Sequence, residues 1–403
     1  MRAAHVATVR RELRRISALF LAVAVLLLVG CSTGDEETRP PQLGVKAEDE
    51  QAVEKLGFPS SATRNTIRVG GSDAASDAAG VAGALYPATG DSDRPTALVL
   101  VDQDDWATAI SASVLVGRPI GAPILLTDGG DLPAVTKDVL DRLKPKGSDL
   151  SKDAQVIRVG PDVARPEGYK TALIEGDNEF ERAAAIDRFF SAARARPSND
   201  VVLFSAQDPE FAMPAAAWAA RSGDAALPVK RNSIPRPIAR AIRQHSKPNV
   251  FILGPESAIS KKVADQLEKR KLARDVKRIE GPNPVENAIA FARYEKGDFG
   301  WGVVVPGYNF SVATTTRPAD AAAAAALATR GVFAPLLLSD DPARLPPKLE
   351  EYFLSVQPGY EEDPSQAVYN RAWILGDDKA VSVDEQAQID QLTELIPVQA
   401  TAP

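Results

Sequence analysis

Residues 96–133 read TALVLVDQDDWATAISASVLVGRPIGAPILLTDGGDLP. The apolar run Ala97 to Val101 has strand length, and an acidic loop and Trp106 follow it. An alanine-rich helix is predicted to about Gly117, and Ile124 to Leu126 forms a second strand closed by Leu132-Pro133. Residues 200–235 and 301–346 follow the same plan in diverged form. The chain is therefore read first as a repeat protein.

The period extends outward from that stretch. A short strand, Thr66 to Val69, leads through Gly70-Gly71-Ser72-Asp73 into a helix ending near Tyr86. The same opening recurs at Leu173 to Gly176 and at Arg278 to Gly281, so Gly71, Gly176 and Gly281 stand 105 residues apart. Ala78, Ala183 and Ala288 keep one offset from these glycines. The next strand is placed so that it ends at Val101, Phe204 and Val305, with Trp106, Phe211 and Phe310 opening the following helix; the last spacing shortens to 99. A third strand lies at Ala122 to Thr127, Ala225 to Lys230 and Ala334 to Ser339, and Leu132-Pro133, Ile234-Pro235 and Leu345-Pro346 introduce helices. Gln155 to Gly160, Asn249 to Gly254 and Ala372 to Gly376 close the units. Non-alternating apolar strands between helices imply parallel sheets covered on both faces. The fold class is α/β, as three Rossmann-like or flavodoxin-like subdomains: residues 65–167, 168–276 and 277–395, with a tail at 396–403.

The 403 residues exceed one ordinary core, and their 44% hydrophobic and 25% charged content describes a globular body. At the N-terminus five arginines precede an apolar run, Ala18 to Gly30, too short to span a bilayer. It ends in Leu28-Val29-Gly30-Cys31, which resembles the bacterial lipoprotein cleavage box, with the chain's only cysteine as the lipidated residue. Residues 1–30 read as the signal peptide and 31–64 as a polar tether. Arg10-Arg11 fits ordinary secretion better than twin-arginine export, because Glu12-Leu13-Arg14 follows. Loss of residues 1–30 removes five basic residues and one acidic one, moving the net charge from −7 to −11. Lys230 to Arg278 runs the other way, with fourteen Lys/Arg against four acidic residues. A basic face on an acidic body attracts anions locally.

The repeats resemble the type 2 cell wall-binding repeat family. The opening glycine, the aromatic before an alanine-rich helix, Ala122-Pro123-Ile124-Leu125-Leu126-Thr127 and closing segments such as Phe251 to Ser260 and Ile374 to Ser382 carry the resemblance over residues 66 to about 395. It implies three subdomains around a pseudo-threefold axis that attach to anionic glycopolymers of Gram-positive envelopes. The chain departs from the family pattern after each opening glycine, at Asp77-Ala78, Arg182-Ala183 and Asn287-Ala288. Its Pro-Asp-Ala is missing at the positions following the aromatics, including Ser311-Val312-Ala313.

Lys230, Arg231, Arg236, Arg240 and Arg243 are the candidate polymer contacts. The last three share one face of a predicted helix whose Ile238 and Ile242 point elsewhere, and guanidinium forks suit phosphate and carboxylate. Val69 to Asp73 lacks the three-glycine dinucleotide pattern, and no lysine-bearing phosphate loop occurs. The acidic loops at Asp102 to Asp105, Asp128 with Asp131, and Asp340-Asp341 read as solvated loops and helix caps, without calcium-loop spacing. Trp106, Phe211 and Phe310 read as core rather than as sugar platforms. After loss of the signal peptide only His245 and Cys31 remain for thiol or His/Cys metal chemistry, and no nucleophile elbow accompanies His245.

The expectation is a non-catalytic envelope lipoprotein, palmitoylated at Cys31, on the outer face of the cytoplasmic membrane. Its three repeats would bind cell wall glycopolymer, with no cofactor, metal or nucleic acid and with an envelope protein as a further partner. With no effector domain after the repeats, the chain is expected to bridge membrane and wall or to present its triplet to a partner. Two other readings stay open: a solute-binding lipoprotein, marked by two lobes and a cleft, and a carbohydrate-active enzyme, marked by two carboxylates about 5–9 Å apart.

Overall fold

Three sheets of parallel strands carry the protein, each with the strand order expected of a flavodoxin-like unit. The computed structural model describes residues 61–398, all within one compact unit; Cys31, the signal peptide and the tether lie outside the described residues. The first sheet runs Ile124–Thr127, Leu98–Asp102, Val156–Val159, Thr171–Ile174. The second runs Ala225–Val229, Asp200–Ser205, Asn249–Leu253, Asp275–Ile279. Leu98 to Val101 and Val201 to Phe204 are buried along their whole length, as strands covered by helices on both faces must be.

The third sheet is closed by the first of the described parallel strands. Its strands Leu336–Ser339, Asn309–Thr314 and Arg371–Leu375 are joined by Thr66–Val69, in register Ala372 to Thr66 and Leu375 to Val69. Ser61–Ala62 adds an antiparallel edge. Each sheet thus takes its fourth strand from the segment that opens the next period of the sequence, and for the third sheet that segment is N-terminal.

Each unit has an opening helix, Ala74–Leu85, Glu179–Ala193 or Pro284–Arg293, started by an Asx cap. Asp73 accepts from the Ser76 amide at 2.8 Å, Asn178 from Glu181 at 3.1 Å and Asn283 from Glu286 at 2.9 Å. The opening glycine before each cap is needed for close approach: a Cβ on Gly281 would sit 2.3 Å from the Asn287 nitrogen. Each unit also has a central helix, Trp106–Ala112 continued as a 3-10 turn Ser113–Val116, Pro214–Ser222, or Asp320–Leu327. These three pack against one another, and Ala215 to Ala217 and Ala321 to Ala326 are buried in the largest apolar cluster. Alanine is what lets three helices meet at one axis, since larger side chains hold axes further apart. At the tightest point a Cβ on Gly117 would lie 2.3 Å from the Ala220 carbonyl oxygen.

The strand placed at Gly302 to Val305 is corrected. Val304 and Val305 are 57% and 54% exposed, and the strand is Asn309–Thr314, with Phe310 buried inside it rather than opening a helix. Gly302 and Gly307 both have positive φ, and Pro306 lies between them, so the apolar run Val303 to Val305 is held in a loop. The third unit also carries an extra hairpin, Glu295–Lys296 with Phe299–Gly300. It therefore lengthens the period where the aromatic spacing had suggested shortening. The hairpin earns its place by packing: Phe299 stacks on Phe251 at 3.4 Å and tilts against Trp218 at 4.8 Å, and Trp301 meets Trp218 edge-on at 5.5 Å. With the strand moved, Pro318-Ala319-Asp320-Ala321 stands at the head of the alanine-rich helix, close to the Pro-Asp-Ala that had seemed missing.

Arg68 fastens the ring-closing strand. Buried, it donates to Gln386 at 2.8 Å and to the carbonyls of Gly376, Asp377 and Val381 at 2.9, 2.7 and 2.7 Å. Gln386 in turn donates to Thr66 at 2.9 Å. Replacing Arg68 by Ala leaves several buried acceptors without donors and is expected to cost about 3 kcal/mol or more. Hydrogen exchange is expected to accelerate first in Thr66–Val69 and Arg371–Leu375; equal acceleration in all three sheets would contradict this account.

Candidate functional site

The proposed contact residues form an exposed stripe on the second unit. Lys230 and Arg231 follow the strand Ala225–Val229 at the carboxyl end of its sheet, where open α/β sheets place ligands. The Lys230 and Ser233 backbones exchange hydrogen bonds at 3.1 and 3.2 Å, and this turn delivers the chain to the helix Arg236–Gln244. Arg236, Arg240 and Arg243 are exposed on that helix while Ile238 and Ile242 are fully buried, so the sequence-derived face exists. Among the described residues these five cations form no ion pair; Lys230 lies 5.7 Å over the Phe180 ring. Arg240 also lines a mixed-charge cavity with Glu175, Asp177, Glu181 and Arg188, which weakens its field.

The acidic loops do structural duty. Asp105 caps the first central helix by accepting from Thr108 at 3.1 Å and pairs with Arg182 at 2.7 Å. Asp128 and Asp131 bridge through their backbones, and Asp341 pairs with Arg344 at 3.0 Å. Trp106 and Phe211 are partly buried and Phe310 fully, Trp106 packing on the central core. His245, for which the sequence offered no nucleophile elbow, is buried and bonds Asp187 at 3.0 Å and the Ser198 carbonyl at 2.9 Å.

One geometry recurs at all three junctions between units. The residue six after each opening glycine reaches both that glycine and the head of the neighbouring central region. Arg182 donates to Gly176 O at 3.1 Å and Thr108 Oγ1 at 3.0 Å. Asn287 accepts from the Gly281 amide at 3.2 Å and donates to Phe211 O at 3.3 Å. Asp77 accepts from the Gly71 amide at 2.6 Å and from Arg317 at 3.3 Å, and faces Asp320. Arg317 also donates to Gly71 O at 3.1 Å and pairs with Asp377 at 2.7 Å. Each junction thus uses a different pair of polar groups at the same backbone position.

Sequence reasoning passed over three further arginines. Arg118, Arg221 and Arg330 each stand four residues before the alanine, Ala122, Ala225 or Ala334, that leads into the third strand, so an Arg-x-x-x-Ala frame repeats in every unit. That frame was the available signal, and the structure gathers the three side chains around one cavity.

A three-unit α/β assembly with alanine-rich helices on its axis is the class these features define. Residues 278–384 match the family model described as Cell wall binding domain 2 (CWB2), so the resemblance drawn from the sequence holds for the third unit. The fold is similar to that of Cwp8 from Clostridium difficile, at 19% identity and TM-score 0.60, covering 82% of this chain and 52% of that one. It is also similar to Cwp6 from Clostridium difficile, at 16% identity and TM-score 0.61, covering 88% and 51%. These likenesses show the fold, and the chain spans about half the length of the two solved structures. No curated protein matches it significantly.

The Asp77–Asp320 contact makes stability depend on pH. Burial, above all, raises Asp77 to about 7; Asp320 is raised by burial and then by the charge of Asp77. An acid whose folded pKa is raised contributes most below its unfolded value near 3.8 and loses that contribution as pH climbs through about 7. Burial acts likewise on Glu385, raised to about 7, and Asp224, raised to about 6. Thermal melting is therefore expected at higher temperature at pH 5 than at pH 8. Asp77→Asn, which installs the residue found at the equivalent position 287, is expected to flatten part of that slope. An unchanged slope in the variant would remove this pair as its source.

Proposed function

We propose that the chain is a lipid-anchored envelope protein whose three repeats bind a cell wall glycopolymer non-catalytically. The carrying observation is the CWB2 match of the third unit within a three-unit fold shared with Cwp8 and Cwp6. An anionic polymer is favoured by the local excess of ten positive charges between Lys230 and Arg278, presented in part on the exposed stripe of Lys230, Arg231, Arg236, Arg240 and Arg243. On an acidic body such a stripe gives local attraction without general adhesion to anions. The anchor is Cys31: two or more acyl chains hold a protein stably, each buried methylene contributing about 0.8 kcal/mol. The polar segment 31–64 joins this anchor to the body, at the outer face of the cytoplasmic membrane.

Co-sedimentation with purified cell walls tests the binding half of the reading. Retention is expected on intact walls and is expected to fall sharply after acid extraction of their anionic polymers; retention that survives extraction contradicts the choice of polymer. Replacing Arg236, Arg240 and Arg243 together by Ala is expected to weaken retention and flatten its salt dependence. An unaltered salt response rules that face out. The anchoring half is tested by Cys31→Ser, which is expected to move the protein from the membrane fraction to the soluble fraction.

A further inference from the structure

The three central helices end together at a cavity of about 700 Å3. Every unit contributes to its wall: Arg118 from the first, Arg194 and Arg221 from the second, Arg330 and Phe333 from the third, with Tyr86 from the first opening helix. No aspartate or glutamate is among its lining residues. Arg118, Arg221 and Arg330 are exposed, and among the described residues none of the four arginines forms an ion pair. Their contacts leave guanidinium donors free. Arg330 lies 4.1 Å over the Tyr86 ring, Arg221 lies 4.9 Å over the Phe333 ring, and Arg194 donates to Gly223 O at 2.7 Å. The three helix C-termini carry about half a negative charge each, which four guanidiniums outweigh.

Two further observations separate this basin from a scatter of surface arginines. Arg330 and Phe333 have φ of +43° and +55°, left-handed backbone that costs energy for residues other than glycine and gathers at functional positions. Phe333 is also 46% exposed, presenting apolar ring surface beside the cations. Guanidinium forks match phosphate and carboxylate oxygens in pairs, and an aromatic face suits the C–H face of a sugar ring.

We propose that this axial basin binds one anionic sugar residue, a sugar phosphate or a uronate, held through Arg118, Arg221 and Arg330 with Phe333 against the ring. Taking wall polymer as the source of that residue rests on the wall-binding reading; the chemistry of the basin does not. The competing explanation is that the arginines merely complement the helix C-termini, a role that changes stability and not affinity.

Isothermal titration of the full chain with glucose 1-phosphate and with trigalacturonate, against neutral maltotriose, separates these. Both anionic probes are expected to bind and maltotriose is not. Arg118→Gln combined with Arg330→Gln is expected to lower affinity about tenfold or more, with a melting temperature close to that of the parent chain. Arg221→Gln carries the same expectation and serves if the double variant does not fold. Equal affinity in the parent and the folded variants, or no binding of either anionic probe, overturns the proposal. Wall co-sedimentation of the same proteins distinguishes the two levels. If parent and variant bind glucose 1-phosphate equally and are retained on walls alike, the basin fails while the wall-binding reading stands. If the parent is not retained yet binds glucose 1-phosphate through Arg118 and Arg330, the wall-binding reading fails and the basin is supported.

Discussion

The close meeting of three small-residue helices is the constraint on which the rest of the structure depends. Ala321 to Ala326 and Ala215 to Ala217 are buried at the axis, and Gly117 passes Ala220 at a distance no side chain permits. Alanine buries little apolar area per residue, so this junction gains its stability from dispersion contacts at high density rather than from large side chains. The bulk that such a core lacks is supplied around it. Trp218, Phe251, Phe291, Phe299 and Trp301 form an aromatic wedge between the second and third units.

Because the junction is a ring, its last interface is closed by the first described strands. Thr66–Val69 pairs with Arg371–Leu375, and Arg68 spends its donors on carbonyls of the third unit. The three junctions are built on one backbone plan yet use an acid pair with an arginine, an arginine with a threonine and an aspartate, and an asparagine with a carbonyl. Such contacts are complementary only to their own neighbour. This divergence favours one order of units over permuted packings, and at Asp77 and Asp320 it does so with a buried acid pair that favours low pH.

Much of the fold was legible because parallel sheets and alanine-rich helices leave strong periodic marks. The glycine, cap and helix that open each unit repeat at one spacing, and the closing strands fall where apolar runs end in glycine. The third unit misled where a short apolar run, Val303 to Val305, imitated a strand and a buried strand residue, Phe310, imitated a helix-opening aromatic. Local pattern cannot register an inserted hairpin whose value lies in long-range contacts with Trp218 and Phe251. The arginine stripe on Arg236–Gln244 could be read from helical spacing because it lies on one element. The axial arginines could not, because they come together only when three distant segments close the ring; their shared Arg-x-x-x-Ala frame was the single trace.

The two ends of the axis have different chemical freedom. At the helix N-terminal end ion pairs hold units together: Asp105 to Arg182, and Arg317 to both Asp77 and Asp377. A ligand there would compete with contacts on which the assembly depends. At the C-terminal end the arginines touch rings and one carbonyl, and no acid lines the space between them. Binding at that end adds contacts without removing any ion pair, so a change of ligand there need not disturb the ring. A triplet of diverged repeats is suited to such a site, because each unit contributes one cation from an equivalent position while its flanking loop, Pro119 to Gly121, Ser222 to Asp224 or Gly331 to Phe333, is free to vary.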